Sequence, residues 1–233
     1  KSPKNLLKIF PFDLSKRTFV FVDEVQYLKD PTNFLKYLSD EYKGKIKLLT
    51  SGSSVFYLDQ KFRDSLAGRK KIFYVFTLSL REFLRFRGQE ELAKKDFSTL
   101  ALSEQENMFF FYQEYLLYGG YPRVVLAPFE EKKELLQELA YSYVKKDVYE
   151  ANIRQEDTFY KLVKMLASQI GGLVNTTELS SILGVSKTSV DHYLYVLQKS
   201  FHVRLIRPFT RNMRKELTKM PKVYFQRSAP LKV

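Results

Sequence analysis

Residues 18–26 read TFVFVDEVQ, an apolar and β-prone run that ends in two adjacent carboxylates, Asp23 and Glu24. A strand that is buried on both faces reads as a continuous apolar run, and the ligands of open α/β sheets gather at the carboxyl ends of the strands. The pattern therefore predicts a buried parallel strand with both acids at its carboxyl end, a position suited to magnesium and water chemistry on a nucleotide. The alternative is that Asp23 only caps the start of a following helix.

A second strand is predicted over residues 45–50, KIKLLT, after a short helix over residues 31–42. It runs into a small polar turn, SGSS, at residues 51–54. If the two strands are parallel neighbours, Ser51 or Ser53 lies beside the two acids, where a hydroxyl can orient an attacking water. The alternative for these serines is ordinary turn chemistry.

A helix over residues 55–66 and a third strand over residues 71–76 are predicted next. Strands that alternate with short helices favour a parallel sheet. Arg69 stands just before the third strand, where its guanidinium can reach the γ-phosphate of a nucleotide on a neighbouring subunit. The alternative for Arg69 is a solvated or carboxylate-paired side chain.

The composition narrows the classes of function. The chain has 233 residues, 45% of them hydrophobic, and a formal net charge of +13, which favours an anionic partner. It has no Cys and only two His, so disulfides, thiolate metal sites and a His-based zinc site are not expected. No run approaches the roughly 20 apolar residues of a membrane span, and we expect a cytoplasmic protein without a membrane contact.

A phosphate-binding loop has the pattern G-x-x-x-x-G-K-[ST], and this chain contains no match to it. Its Gly-Lys pair, Gly44-Lys45, has Ser39 in place of the first Gly and is followed by Ile46. Because the chain opens at Lys1 rather than Met, we expect it to be a fragment that lacks the phosphate-binding half of its core. We expect ATP and Mg²⁺ to bind only if that loop exists.

The segment 79–150 has a helical pattern, with a polar stretch at residues 88–96 and helices predicted over 103–117 and 130–148. The first of these helices is rich in aromatic residues, which we assign to the core of a small helical lid rather than to base stacking. A Gly-Gly-Tyr-Pro turn ends it, and Arg123 follows that turn.

Residues 175–194 predict a helix-turn-helix: a short helix from Thr176 or Thr177, a turn at Gly184, and a longer helix capped by Ser186. Two strands, 203–206 and 222–225, would flank a basic loop and complete a winged helix. The side chains that would face duplex DNA from the second helix are Lys187, Thr188, Ser189 and His192. Those of the loop that would contact phosphates are Arg207, Arg211, Arg214 and Lys215.

The charge of the tail supports this interpretation, because residues 202–233 hold nine Lys or Arg against one acid. Asp191 argues against it, since a carboxylate on the outward face would repel phosphate. Docking to a protein partner is therefore the alternative role of the winged helix.

The order and spacing of FVDEVQ, LLTSGSS, LAGR and TLSLREF resemble the prokaryotic AAA-type ATPases that carry a C-terminal domain of unknown function. The resemblance implies a Walker B pair, in which Asp23 binds Mg²⁺ through water and Glu24 polarises the attacking water. It further implies a sensor at Ser51 or Ser53, an arginine finger at Arg69 and a second sensor at Arg123. Relatives continue into a nuclease-like region, but this chain departs from their pattern at residues 226–228, so no nuclease role is carried over.

We therefore expect an α/β fold: a partial P-loop core of AAA type over residues 1–78, an all-α lid over 79–150 and a winged-helix domain over 151–233. The expected function of the intact protein is ATP binding and hydrolysis. We also expect a module that binds DNA or a protein partner, and a homo-oligomer. The alternative is a non-catalytic DNA-binding regulator or docking protein whose ATPase half has decayed.

Overall fold

The structure is a computed structural model that describes residues 4–10, 13, 15–52, 66, 68–212, 216 and 218–225. The chain divides into two compact units, Lys1–Phe73 and Tyr74–Val233. The boundary between them lies five residues before the one predicted at residue 78. The division predicted at residue 150 stays a prediction, since both of its sides fall in the second unit.

The first unit contains helix α1 (Lys4–Ile9), strand β1 (Thr18–Val22), helix α2 (Pro31–Glu41) and strand β2 (Ile46–Thr50). The two strands pair in parallel, with Thr18 opposite Ile46 and Val22 opposite Thr50. A parallel pair needs a crossover, which α2 provides. Both strands therefore end at the same edge of the sheet, as the sequence predicted.

Helix α2 begins where local chemistry predicts a helix start. The Asp30 side chain accepts a hydrogen bond from the Asn33 N–H at 3.1 Å, and Pro31 occupies the first turn, where no N–H is needed. Leu35 and Leu38 are buried on the inner face of the helix. Leu35 packs in a core cluster with Val25, which attaches the helix to the segment that follows β1.

Strand β1 is covered on one face only, so the prediction of a strand buried on both faces was wrong. Val20 is buried, whereas Phe19 and Phe21 are exposed, the latter by 75%. Successive side chains of a strand point to opposite faces. In the described part of the chain, α2 packs on the face of Val20 and no element covers the face of Phe21.

The third predicted strand does not form. Residues 70–76 have no regular secondary structure, and the large side chains of 72–76 are exposed. A β-prone segment becomes a strand only where a neighbouring edge accepts its backbone hydrogen bonds, and no described strand pairs with this one. The helix predicted over residues 55–66 lies outside the described residues, apart from Leu66.

The second unit is mostly helical. Its helices are α3 (Leu80–Phe86), α4 (Glu90–Lys94), α5 (Leu102–Tyr118), α6 (Pro122–Leu126), α7 (Lys132–Glu150), α8 (Glu156–Ser168), α9 (Thr176–Leu183) and α10 (Lys187–Lys199). Its strands are β3 (Val203–Ile206) and β4 (Lys222–Phe225). The polar stretch at residues 88–96 contains the short α4. Helix α7 starts after a 3-10 turn at Phe129–Glu131.

The first helices of this unit share a core that contains Phe83, Leu84, Phe111 and Val125. Only some of the aromatic residues predicted for the core of α5 enter it: Phe111 is buried and Tyr115 packs against the cluster. The others are exposed on the opposite side of the helix: Phe109, Phe110 and Tyr112. The prediction of core packing was therefore right for one face of α5 and wrong for the other.

The Gly-Gly turn after α5 holds this core against residue 78. The Leu78 N–H donates to the Gly120 carbonyl at 2.8 Å, and the Tyr115 hydroxyl donates to the Leu78 carbonyl at 2.9 Å. Gly119 ends α5 at φ +70°, where a glycine is favoured. A Cβ on Gly120 would lie 2.3 Å from the Leu78 carbonyl oxygen, so only glycine permits this close approach.

Tyr121, directly after the turn, stacks on Tyr143 of α7 with ring centroids 5.9 Å apart. Burial, reinforced by Tyr143 and Asp147, raises the pKa of Tyr121 to about 12. The carboxylate of Asp147 is itself bonded to the His202 ring nitrogen Nε2 at 2.5 Å, which joins the end of α7 to the start of β3.

The last part of the unit consists of α8, α9, α10 and an antiparallel pair, β3 with β4, in which Val203 lies opposite Phe225. An isolated antiparallel bridge joins Leu173 to Lys222, so the segment around Leu173 lies beside β4. The side chains that fill its interior are Phe159, Leu162, Leu166, Val190, Leu194 and Leu197. The bounds of both strands match the sequence prediction.

Candidate functional site

The carboxyl ends of β1 and β2 are joined by hydrogen bonds around Ser51. The Ser51 N–H donates to the Val22 carbonyl at 3.0 Å, and the Val25 N–H donates to the Ser51 carbonyl at 2.9 Å. The two acids after β1 and the serine after β2 therefore form one small, tightly connected edge.

Asp23 is oriented by two donors on the same oxygen. Its Oδ1 accepts the Ser51 hydroxyl and the Glu24 N–H, the latter at 3.0 Å. The side chain is exposed, and no described residue donates a hydrogen bond to Oδ2. An oriented, solvent-facing carboxylate oxygen is a hard ligand of the kind that Mg²⁺ accepts, directly or through water.

Glu24 lies in the left-handed region of the backbone map, with φ 47° and ψ 53°. This conformation is unfavourable for a side chain with a Cβ, and such residues persist where the surrounding structure holds them. Here the Glu24 N–H also lies 3.2 Å from the Ser51 hydroxyl, and the Gln26 amide Nε2 donates to the Glu24 carboxylate Oε2. The strain and the bonds together fix the direction of the Glu24 carboxylate.

The structure brings together Asp23, Glu24 and Ser51 from the residues predicted for this site. Ser53 lies outside the described residues. Gln26 was missed as a member of the site, although it ends the quoted stretch. The sequence signal that could have identified Gln26 is a polar residue between the apolar Val25 and Tyr27. The structure shows that the Gln26 side chain is buried and donates a hydrogen bond to Glu24.

Arg69 pairs with a carboxylate, which was the alternative that the sequence left open. Its Nε donates to Asp40 Oδ1 at 2.9 Å, and both side chains are more than 40% exposed. Asp40 belongs to the last turn of α2. Arg123 belongs to the second unit, where its Nη2 lies 3.7 Å from Glu138 Oε2.

Among the described residues, no group of three or more His, Cys, Asp or Glu side chains could hold a metal ion. Asp23 would provide one protein carboxylate. Mg²⁺ tolerates this, because it keeps several waters and takes further ligands from substrate phosphates.

No helix in the described ranges is long and apolar enough to cross a membrane.

A second candidate surface lies on α10. The Ser186 hydroxyl accepts the Ser189 N–H at 3.1 Å and caps the helix, and the two hydroxyls are 2.9 Å apart. Lys187, Thr188 and His192 are exposed on its first turns. Ser189 is half-buried and engaged in the cap, so it is less available for a ligand than the sequence predicted.

The carboxylate that argued against phosphate binding is partly neutralised. Asp191 Oδ2 lies 3.6 Å from Lys187 Nζ, one helical turn earlier. Arg207 and Arg211 follow β3 with exposed side chains. Arg214 and Lys215, predicted for the same loop, lie outside the described residues.

Comparison with known proteins concerns the class of each part of the chain. Residues 1–84 match the sequence model of an AAA domain, which supports the expected AAA-type, P-loop ATPase class for the N-terminal part. Residues 110–228, just over half of the chain, match a domain of unknown function, DUF8612. The chain belongs to this DUF8612 family.

Two relatives have no described activity. The chain is 25% identical over 212 residues to the uncharacterized protein MJ1544 of Methanocaldococcus jannaschii, covering 88% of this chain and 46% of that protein. It is 26% identical over 192 residues to an uncharacterized protein of Haemophilus influenzae, covering 80% and 44%. The chain thus spans less than half the length of these relatives. No solved structure matches it.

Proposed function

We propose that this chain carries the later part of an ATP-hydrolysing AAA-type core, with Asp23 as the Mg²⁺-binding residue and Glu24 as the residue that activates the attacking water. The observation that carries the proposal is the edge formed by Asp23, Glu24 and Ser51 at the carboxyl ends of two parallel strands. Ligands of open α/β sheets bind at this edge.

Each side chain would have one task. Ser51 and the Glu24 N–H hold Oδ1 of the exposed Asp23, which leaves Oδ2 for a water-mediated contact to the metal. Mg²⁺, when bound with ATP, supplies positive charge against the phosphate oxygens. Glu24 orients a water and accepts its proton, and Gln26 keeps the Glu24 carboxylate in place.

The full-length gene product is the right material for the test, because no phosphate-loop pattern occurs within these 233 residues. We expect Glu24→Gln to bind ATP with unchanged affinity and to hydrolyse it at least about 100-fold more slowly, the effect of losing a general base. Glu41→Gln, the same chemical change at an exposed position of α2, is the matched control. Wild-type turnover in Glu24→Gln, or loss of ATP binding, would refute the assignment of Glu24.

For the C-terminal part, we propose a winged-helix module that binds duplex DNA, with α10 as the helix that enters the major groove. Support comes from the α9–turn–α10 order, the β3–β4 pair and the exposed Lys187, Thr188 and His192. The excess of basic residues after β3 would contact phosphates.

Fluorescence anisotropy with a labelled duplex at several salt concentrations tests this module. We expect Arg207→Gln and Arg211→Gln each to lower the slope of log affinity against log salt by about 1. Lys161→Gln, on an exposed position of α8, is the control and leaves the slope unchanged. An unchanged slope in both arginine variants would favour protein docking as the role of this module.

The same two assays separate the catalytic proposal from its rival. A gene product that binds duplex DNA but shows no ATP binding would be a non-catalytic regulator with a decayed ATPase half. Arg69 as an arginine finger and Arg123 as a second sensor remain proposals that require the two ion pairs, with Asp40 and Glu138, to open.

A further inference from the structure

The outward side of α5 carries a stripe of large apolar side chains at seven-residue spacing. Leu102, Phe109 and Leu116 are 80%, 59% and 52% exposed. Gln105 and Tyr112 lie between them at i+3, so five successive positions of the stripe follow the a and d pattern of a coiled-coil seam. This side of α5 is opposite the one that Phe111 and Tyr115 bury in the core.

A second row extends the stripe into a broad surface, which we call the α5 face. Phe110 and Leu117 are 62% and 65% exposed, one position after Phe109 and Leu116. A contiguous apolar surface of this kind marks an interaction site on a folded protein.

The exposed area of the α5 face is close to the area that each partner buries in a protein–protein interface. A fully exposed aromatic side chain offers roughly 150–250 Å². The exposed parts of the apolar residues on this side of α5 add up to roughly 700 Å²: Leu102, Phe109, Phe110, Tyr112, Leu116 and Leu117. A standard protein–protein interface buries about 800 Å² on each partner. The face is therefore large enough to hold a stable dimer.

We propose that a second copy of this chain covers the α5 face, with the two α5 helices packed antiparallel about a two-fold axis at Phe109. The stripe is symmetric about that residue, since Leu102 and Leu116 each stand seven positions from it. An antiparallel pair then places Leu102 against Leu116 of the partner subunit and Phe109 against its own copy. Such self-complementarity is what a two-fold interface requires.

The charges of α5 are compatible with the antiparallel pair. Glu106 is the one acidic residue on the outward side of α5, a helix that the structure describes throughout. The other two acids point inward, where Glu104 pairs with Lys95 and the buried Glu114 lies 3.4 Å from Lys132. In the antiparallel pair Glu106 lies at the level of Tyr112 of the partner subunit, so no carboxylate meets another across the seam.

Because the chain contains no cysteine, single-cysteine variants report this geometry directly. We expect Phe109→Cys to cross-link to itself with a short bismaleimide. We expect Leu102→Cys and Leu116→Cys to cross-link when mixed but not when alone. Ser142→Cys, at an exposed position of α7, is the control and gives no cross-link. Self-cross-linking of Leu102→Cys would refute the antiparallel arrangement.

Sedimentation equilibrium of the full chain tests the dimer itself. We expect Phe109→Glu and Leu116→Gln each to weaken dimerisation by at least about 30-fold, the effect of removing an interface hot spot. We expect both variants to fold, since neither residue belongs to the core cluster, and circular dichroism checks this. A wild-type chain that stays monomeric at high concentration, or variants that dimerise like the wild type, would overturn the proposal. Amide protection of α5 in a monomer would instead assign the face to another part of the same polypeptide.

Discussion

The strained backbone of Glu24 leads to a prediction about stability that does not depend on catalysis. We compare Glu24→Gly with Glu24→Ala. Both variants lose the carboxylate and its bond to Gln26, and both keep the N–H that lies near Asp23 and Ser51. The comparison therefore isolates the effect of a Cβ at φ 47°.

The magnitude follows from two opposing terms. A residue with a Cβ in the left-handed region costs about 1–2 kcal/mol. Glycine avoids that cost but gives the unfolded chain more freedom, which destabilises the folded state by about 0.4–1 kcal/mol relative to alanine. We expect Glu24→Gly to have the larger free energy of unfolding, by about 1 kcal/mol, although glycine is normally the less stable choice.

Hydrogen exchange of the β1 and β2 amides is the assay, because it reports the stability of the first unit separately. A difference of about 1 kcal/mol corresponds to about five-fold greater protection in Glu24→Gly. The control is the same pair of substitutions at Lys36, exposed within α2, where alanine should be the more stable by about 1 kcal/mol. Equal protection, or greater protection in Glu24→Ala, would show that Glu24 is not strained.

Two further predictions concern the second unit. Gly120→Ala should lower the free energy of unfolding by about 2–4 kcal/mol, because its Cβ would lie 2.3 Å from the Leu78 carbonyl oxygen. Gly88 has φ +74° and open space around it, so Gly88→Ala should lower the free energy of unfolding by only about 1 kcal/mol. Urea unfolding followed by circular dichroism measures both, and equal losses would contradict the close-approach argument. The Tyr121 pKa of about 12 implies a stabilisation that is complete below pH 10 and is lost between pH 10 and 12, since the unfolded chain releases the phenol proton first. Between pH 9 and 11 the wild type should lose about 1 kcal/mol more stability than Tyr121→Phe. Identical losses in the variant and the wild type would refute this effect.

The sequence predicted those features that a few neighbouring residues determine. The strand Thr18–Val22 and the strands of the last pair were located correctly, because their composition and flanking turns are local signals. Ser186 was correctly predicted as a helix cap, since a cap depends on residues three positions apart. The parallel pairing that brings Ser51 to Asp23 was correctly expected, because consecutive strands joined by a helix usually pair in parallel.

The tertiary structure decided which faces of these elements are covered. The outward exposure of Phe109 and of Phe21 could not be predicted, since apolar residues on two sides of an element do not indicate which side meets a neighbour. For the same reason residues 71–76 have strand composition but no strand partner. The bond between Gln26 and Glu24 forms in the turn after β1, where Glu24 has a positive φ that the sequence did not predict. Local hydrogen bonds and periodicity are encoded over a few residues, whereas burial and side-chain pairing depend on contacts between segments that are distant in sequence.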